Sequence, residues 1–254
     1  MVLFRFAFAC VGLAPVFLHD RPRFAFHECG WLLAAAFFGV PVQFLVQFKG
    51  LSLTTVSHAA LMVGTLPVLL ALAAMMFSGE RLHLGGWIGL AASTAGAALI
   101  AMSGRESGST GPSVMGDLLV VISMFAAIAW ILISKRLIRQ HSAVIVTAVV
   151  LWIGTVMLLL MGLAMEGLPA LHYSARTWAA VAAQGLLATT ITTLLWNWGL
   201  SRVPASEAGI FVNLEPFVGA ILGVFLLHEN LGPAALLGGA LIIGGAVYFS
   251  LKPA

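Results

Sequence analysis

FKGLSLTTVSHAALMVGTLPVLLALAAMMFSGERL, residues 48–82, lies over NWGLSRVPASEAGIFVNLEPFVGAILGVFLLHENL, residues 197–231, without a gap. The shift is 149 positions, the distance from Phe48 to Asn197. Gly50-Leu51-Ser52 meets Gly199-Leu200-Ser201, Ser57 meets Ser206, Pro67 meets Pro216, and Glu80-x-Leu82 meets Glu229-x-Leu231. Further on, Gly89 meets Gly238 and Gly96 meets Gly245. Alanine aligned with alanine means little in an apolar segment. Proline and glutamate held in one register point to an internal duplication, which reorganises every later reading of a chain.

The duplicated stretch is almost wholly apolar, and so is the rest. Of 254 residues, 61% are hydrophobic and 8% charged, against roughly 25% charged in a soluble domain; the mean hydropathy is +1.07. A spanning helix needs about 20 predominantly apolar residues. The sequence supplies nine candidates, at 2–18, 30–48, 53–77, 85–103, 114–138, 143–165, 177–200, 206–227 and 233–251. The loops between them are short and hold most of the charge, so function must lie among the spans. The expected fold class is all-α, a polytopic helical membrane bundle. The opening MVLFRFAFACVGLAPVF lacks a clear small-residue cleavage site and reads as a span, not a signal peptide.

The second copy has five spans, beginning with 114–138, and the first has four. Under the same shift, the partner of 114–138 would precede residue 1. The expectation is an inverted repeat of five-helix units, 4 + 5 spans present from a 5 + 5 parent. A truncated chain, a late start or a nine-span relative would each account for the difference. Residues 1–103 form the first copy, 104–113 a periplasmic-side linker and 114–254 the second copy. An odd number of spans per copy turns the copies opposite ways. With the loop of Arg21 and Arg23 inside, eight basic residues lie inside (those two, Arg81, Lys135, Arg136, Arg139, Arg202, Lys252) and four outside (Arg5, Lys49, Arg105, Arg176). That is the direction of the positive-inside rule, and it accounts for the net charge of +3 without a nucleic-acid partner. Inverted repeats mark secondary transporters that bind near the midplane. Two cysteines, Cys10 and Cys29, form no disulfide framework and are expected as free thiols.

In this setting the chain resembles the drug/metabolite transporter superfamily, of the EamA type. The likeness rests on Arg5-Phe6 opening a span, Pro67 followed by Gly79-Glu80-Arg81-Leu82, and Leu214-Glu215-Pro216 followed by His228-Glu229-Asn230-Leu231. Gly116-Asp117 leading through Ala129-Trp130 to Lys135-Arg136-Leu137 completes it. His228, where glycine is more frequent, and Lys49, where a small residue is usual, depart from the pattern. The resemblance implies export of amino acids, other metabolites or drugs, driven by an ion gradient or by exchange.

Candidate residues come from polar groups inside the spans. Glu215 falls near the middle of 206–227, where a carboxylate costs about 3 kcal/mol on insertion scales. Pro216 beside it cannot donate a backbone hydrogen bond. The pair describes a bent helix beside a polar cavity, with Glu215 as coupling group or counter-ion to a substrate amine; a hydrogen bond to a neighbouring helix is the plainer alternative. Asn213 lies two residues away. Thr189, Thr193, Trp196 and Asn197 fit a helical stripe, although threonines often satisfy their hydroxyls on their own helix. Gln43 and Gln47 stand one turn apart and suit a zwitterion or an interhelical bond. Trp130 sits deep in its span, as packing or as a substrate platform, and His58 lies one turn inside its own. Pro41, Pro67 and Pro216 are expected helix bends. Glu80 and Glu229, at span ends, are expected to be structural.

A catalytic constellation is absent from the sequence. His27-Glu28 and His228-Glu229 lack the second histidine of the zinc-protease motif, GRESG and SGSTG miss the nucleophile-elbow pattern, and no Cys/His set suits a metal. No phosphate-cradling loop accompanies the spans. The expectation is a secondary transporter, in the exporting direction, working by alternating access without cofactor, metal or ATPase partner. Its partners would be the lipid bilayer, a small-molecule substrate such as an amino acid or related amphiphile, and a proton or exchanged solute. Its place would be the bacterial inner membrane. A membrane scaffold or regulatory subunit is the alternative, and an intramembrane enzyme a more distant one.

Overall fold

Residues 1–19, 24–103, 113–167, 169, 172–227 and 232–250 are described by a computed structural model of the chain. Every regular element among them is helical. Seven helical stretches are long and apolar enough to cross a membrane: Phe26–Leu51, His58–Ser78, Leu84–Met102, Val114–Ile138, Ala143–Met165, Ala175–Leu200 and Ala205–Leu222. Two shorter apolar helices, Val2–Phe17 and Pro233–Tyr248, accompany them. The chain is a polytopic helical membrane bundle.

The elements themselves repeat at the 149-residue shift. In the first copy α1 (Val2–His19) is followed by α2 (Phe26–Phe37), a π-helical turn at Phe38–Val42 and α3 (Gln43–Leu51). Then come α4 (Val56–Val63), α5 (Leu66–Ser78) and α6 (Leu84–Ser103). The second copy opens with α7 (Val114–Ile138) and α8 (Ala143–Glu166). It continues with α9 (Ala175–Ala183), a π-helical turn at Gln184–Ile191, α10 (Thr192–Leu200), α11 (Ala205–Val212), α12 (Leu214–Leu227) and α13 (Pro233–Ser250). The composite helices Phe26–Leu51 and Ala175–Leu200 match at both ends under that shift, and so do α4 and α11.

The interruptions have local causes. Proline cannot donate to the carbonyl four residues back, so Pro67 and Pro216 leave the carbonyls of Val63 and Val212 without a helical partner. Those residues end α4 and α11. Pro41 lies inside the first π-helical turn, where the widened helix takes up the missing bond. The second reaches the same shape without proline: Thr189 and Thr190 hydroxyls donate to the carbonyls of Gln184 and Gly185, five residues back, each at 3.1 Å. Thr190 stands where Pro41 stands in the first copy.

The chain packs as two compact units, Met1–Leu45 with Ala129–Arg202, and Val46–Ile128 with Val203–Ala254. Each draws on both copies. In the first unit, Leu32, Ala35 and Ala36 of α2 meet Leu137, Ile138, Val146 and Val150, while Phe6, Leu13 and Val40 meet Ala148, Leu151 and Leu158. The indole of Trp130 packs on the first π-helical turn, so close that a Cβ at Gly39 would fall 2.6 Å from its Cγ.

In the second unit, the repeat-related helices α6 and α13 cross at glycines. A Cβ at Gly238 would meet the Gly96 carbonyl at 2.6 Å, and one at Gly245 the Gly89 carbonyl at 2.7 Å. Gly89 is the repeat mate of Gly238, and Gly96 of Gly245. Each glycine therefore meets the mate of the other, as in an isologous two-fold contact, and the helices run antiparallel. Gly50 packs likewise on Gly116 and Val120 of α7, whereas its mate Gly199 has nothing within 4 Å of a Cβ. Gly79 closes α5 in the left-handed conformation, φ 64°, which glycine adopts without strain. The turn delivers the Glu80 carboxylate to the start of α11, where it accepts from the Ser206 backbone N–H and hydroxyl, both at 2.9 Å.

Candidate functional site

The polar interior of the first unit starts at Arg5, on α1. Phe4 and Phe8 stack edge-on against Trp178 of α9. Further along, Arg5, Phe8 and Ala9 lie against Gly185, and Gly12 against Thr190. The two helices thus run the same way. The Arg5 carbonyl is level with Gly185, yet its Nε donates to Thr189 Oγ1 at 2.7 Å, four residues deeper. Thr189 lies close to the middle of the 26-residue helix Ala175–Leu200. Long cationic side chains in membranes normally reach back to the nearer interface; this one extends inward. An arginine at such depth costs about 3 kcal/mol on insertion scales. The guanidinium carbon lies 5.3 Å from the Phe44 ring centre and 5.7 Å from that of Phe6, contacts worth about 0.5–2 kcal/mol where desolvated.

Of the expected stripe, Thr189 is buried and engaged by Arg5. Thr193 is half-buried. Trp196 is half-buried too, and its Nε1 is shielded without a hydrogen-bond partner. Asn197 turns to α8 instead: it is buried, and its Nδ2 donates to Thr147 Oγ1 at 2.6 Å. Gln43 buries its Oε1 unpartnered at the start of α3. Trp130 packs among Leu32, Leu137 and their neighbours.

In the second unit Gln47 is half-buried. Asn213, at the break between α11 and α12, is buried and spends its amide on α6, donating to Ser93 Oγ at 2.9 Å and Thr94 Oγ1 at 3.2 Å. It ties the broken helix down. Glu215, the second residue of α12 beside Pro216, is exposed and makes no hydrogen bond to a described residue. His58 Nδ1 lies 3.2 Å from Asp117 Oδ2, and Thr54 donates to Asp117 Oδ1 at 2.6 Å. Glu229 lies outside the described residues. Cys10 and Cys29 are free thiols.

Three groups escaped the sequence reading as site candidates: Arg5, Asp117 and the pair of Glu28 Oε1 with His141 Nε2 at 2.8 Å. Arg5 carried a signal, being the one charge within 2–18. Asp117 was legible only as part of a motif, and the Glu28–His141 pair joins residues 113 positions apart. Among the described residues no group of three His, Cys, Asp or Glu could hold a metal.

The EamA-like transporter family model matches residues 1–102 and 114–251. The Bacillus subtilis protein named "Uncharacterized transporter YetK" is 26% identical over 225 residues, 87% of this chain and 68% of its own. An "Uncharacterized transporter" of Archaeoglobus fulgidus is 23% identical, over 87% of this chain and 76% of its own. A Streptantibioticus cattleyicolor protein named "Probable terminal-alkyne amino-acid exporter" is 29% identical, over 76% of this chain and 64% of its own. A crystal structure at 21% identity superposes with a TM-score of 0.82, covering 98% of this chain and 88% of that one, a likeness of fold.

Proposed function

Because the chain belongs to the EamA-like transporter family of the drug/metabolite transporter superfamily, and is a multi-pass membrane transporter, we propose that it exports an amino acid or related amphiphile by alternating access. The observation that carries this reading is the pair of π-helical turns at matching places in the two copies, Phe38–Val42 and Gln184–Ile191. Interrupted helices at corresponding positions are where secondary transporters build their substrate sites, and π-helical turns concentrate at functional sites. The amino-acid substrate class is supported by the printed name of the Streptantibioticus relative. Gln43, Trp130, Thr193 and Trp196, all of the first unit, contact substrate in this scheme, whereas Asn197 and Asn213 hold their helices in place through the bonds described above. Glu215 takes up and releases the coupling proton. It stands exposed beside the Pro216 break and makes no hydrogen bond to a described residue. The bacterial relatives support the inner membrane of a bacterium as its location.

Counterflow in proteoliposomes tests the proposal, with amino acids preloaded and labelled uptake followed at two pH values. Saturable uptake is expected, and Glu215→Gln should remove its response to an imposed pH gradient while leaving exchange at equal pH intact. Uptake whose gradient response survives Glu215→Gln removes that residue from coupling. Absence of any saturable uptake contradicts the transport reading.

A further inference from the structure

We infer that Arg5 binds the carboxylate of the transported substrate, an assignment that rests on the transporter reading and narrows it to substrates with an anionic head. A guanidinium carries five N–H donors in a planar fork. Here the Nε donor is spent on Thr189 Oγ1 at 2.7 Å, and neither Nη atom bonds a described residue. Neither is among the buried polar atoms lacking a partner, and no described residue closes the outer edge of the fork by a hydrogen bond. No described carboxylate lies within ion-pair distance of it. Phe6 and Phe44, stacked edge-on to each other, both lie against the cation and Thr189 fixes its inner edge, which holds the fork in one orientation.

That orientation is inward. The side chain runs from the level of Gly185 to that of Thr189, away from the end where Phe4 meets Trp178. A residue serving headgroups would point the other way. Beyond Thr189, Thr193 and Trp196 follow at helical spacing on the same face, the latter with an unpartnered indole N–H. A carboxylate matches the fork bidentately, and a body of amino-acid size then lies along Thr193 and Trp196.

The test is counterflow with the unmodified chain and with Arg5→Gln, Arg5→Lys and Thr189→Val, using the twenty common amino acids and their carboxamides as probes. The wild-type chain is expected to take up acids and to discriminate against the amides. Arg5→Gln should lower acid uptake at limiting concentration about 10- to 100-fold, the range for losing a charged hydrogen-bonded contact, with amide uptake unchanged. Arg5→Lys keeps the charge without the fork and should fall between, which covers the case in which Arg5→Gln does not fold. Thr189→Val should raise the KM for acids without opening the site to amides. An acid-to-amide ratio unchanged in both Arg5 variants overturns the assignment and makes Arg5 structural, even if all uptake drops. Equal uptake of acids and amides by the wild-type chain overturns the assignment alone and leaves the transporter reading standing. Uptake of neither overturns both.

Discussion

Gly238→Ala probes the close crossing of α6 and α13. The added methyl would sit 2.6 Å from the Gly96 carbonyl oxygen, 3.0 Å from Ile100 Cγ1 and 3.2 Å from Leu99 Cβ. Ordinary contact begins at 3.4 Å, so α6 and α13 must part by about 0.8 Å along that direction. The obstacle is backbone, which cannot rotate away. Overpacking costs about 1–3 kcal/mol, and this site belongs in the upper half of that range. Replacing a mid-helix glycine returns about 0.5–1 kcal/mol. The net expectation is a loss of about 1–2 kcal/mol. Gly244→Ala, on the same helix with nothing within 4 Å of its Cβ, isolates the return and should stabilise by about 0.5–1 kcal/mol. Reversible unfolding in mixed micelles, titrated with a denaturing detergent, measures both. The two-fold crossing predicts that Gly245→Ala resembles Gly238→Ala. It predicts also that Gly96→Ala combined with Gly238→Ala costs less than the sum, since one displacement relieves both contacts. If Gly238→Ala proves as stable as Gly244→Ala, the close crossing is not what holds these helices.

Two further outcomes follow from side-chain bonds. Glu80→Ala should cost about 1–3 kcal/mol by leaving the Ser206 N–H and hydroxyl without their acceptor, and Glu80→Gln, which retains an acceptor oxygen, should recover most of it; a neutral Glu80→Ala in the unfolding assay contradicts the cap. A double-mutant cycle of Asn197→Leu with Thr147→Val should return a coupling of about 0.6 kcal/mol, the average for interhelical hydrogen bonds in membranes, and zero coupling would mean the 2.6 Å bond contributes nothing.

The fold was legible to the extent that a shift along the sequence exposes it. Pro67 and Pro216 mark helix breaks because a missing N–H acts locally, whatever surrounds it. Pro41 announced a bend for the same reason. The matching widened turn at Gln184–Ile191 was not legible, since no proline sits there and the turn depends on two hydroxyls choosing carbonyls five residues back. The candidate site shows the same division. The Thr189–Asn197 stripe follows from spacing, but spacing is blind to partners: Asn197 turns to Thr147 and Thr189 to Arg5, contacts set by packing across 50 and 184 positions. Glu215 stood out because a carboxylate in an apolar segment is costly, which holds for Arg5 as well. The arginine's place in the polar interior became visible only through the direction of its side chain.

The mechanism rests on the two copies facing opposite sides of the membrane, and paired cysteine accessibility tests that most directly. Ser52 and Ser201 are repeat mates, both exposed. With Cys10 and Cys29 replaced by alanine, each serine is changed singly to cysteine and challenged with a membrane-impermeant maleimide in intact cells, then after permeabilisation. Five spans separate the two positions, so Ser52→Cys is expected to label from outside and Ser201→Cys only once the membrane is opened. Labelling of both from the same side would contradict the inverted repeat and the transport mechanism built on it.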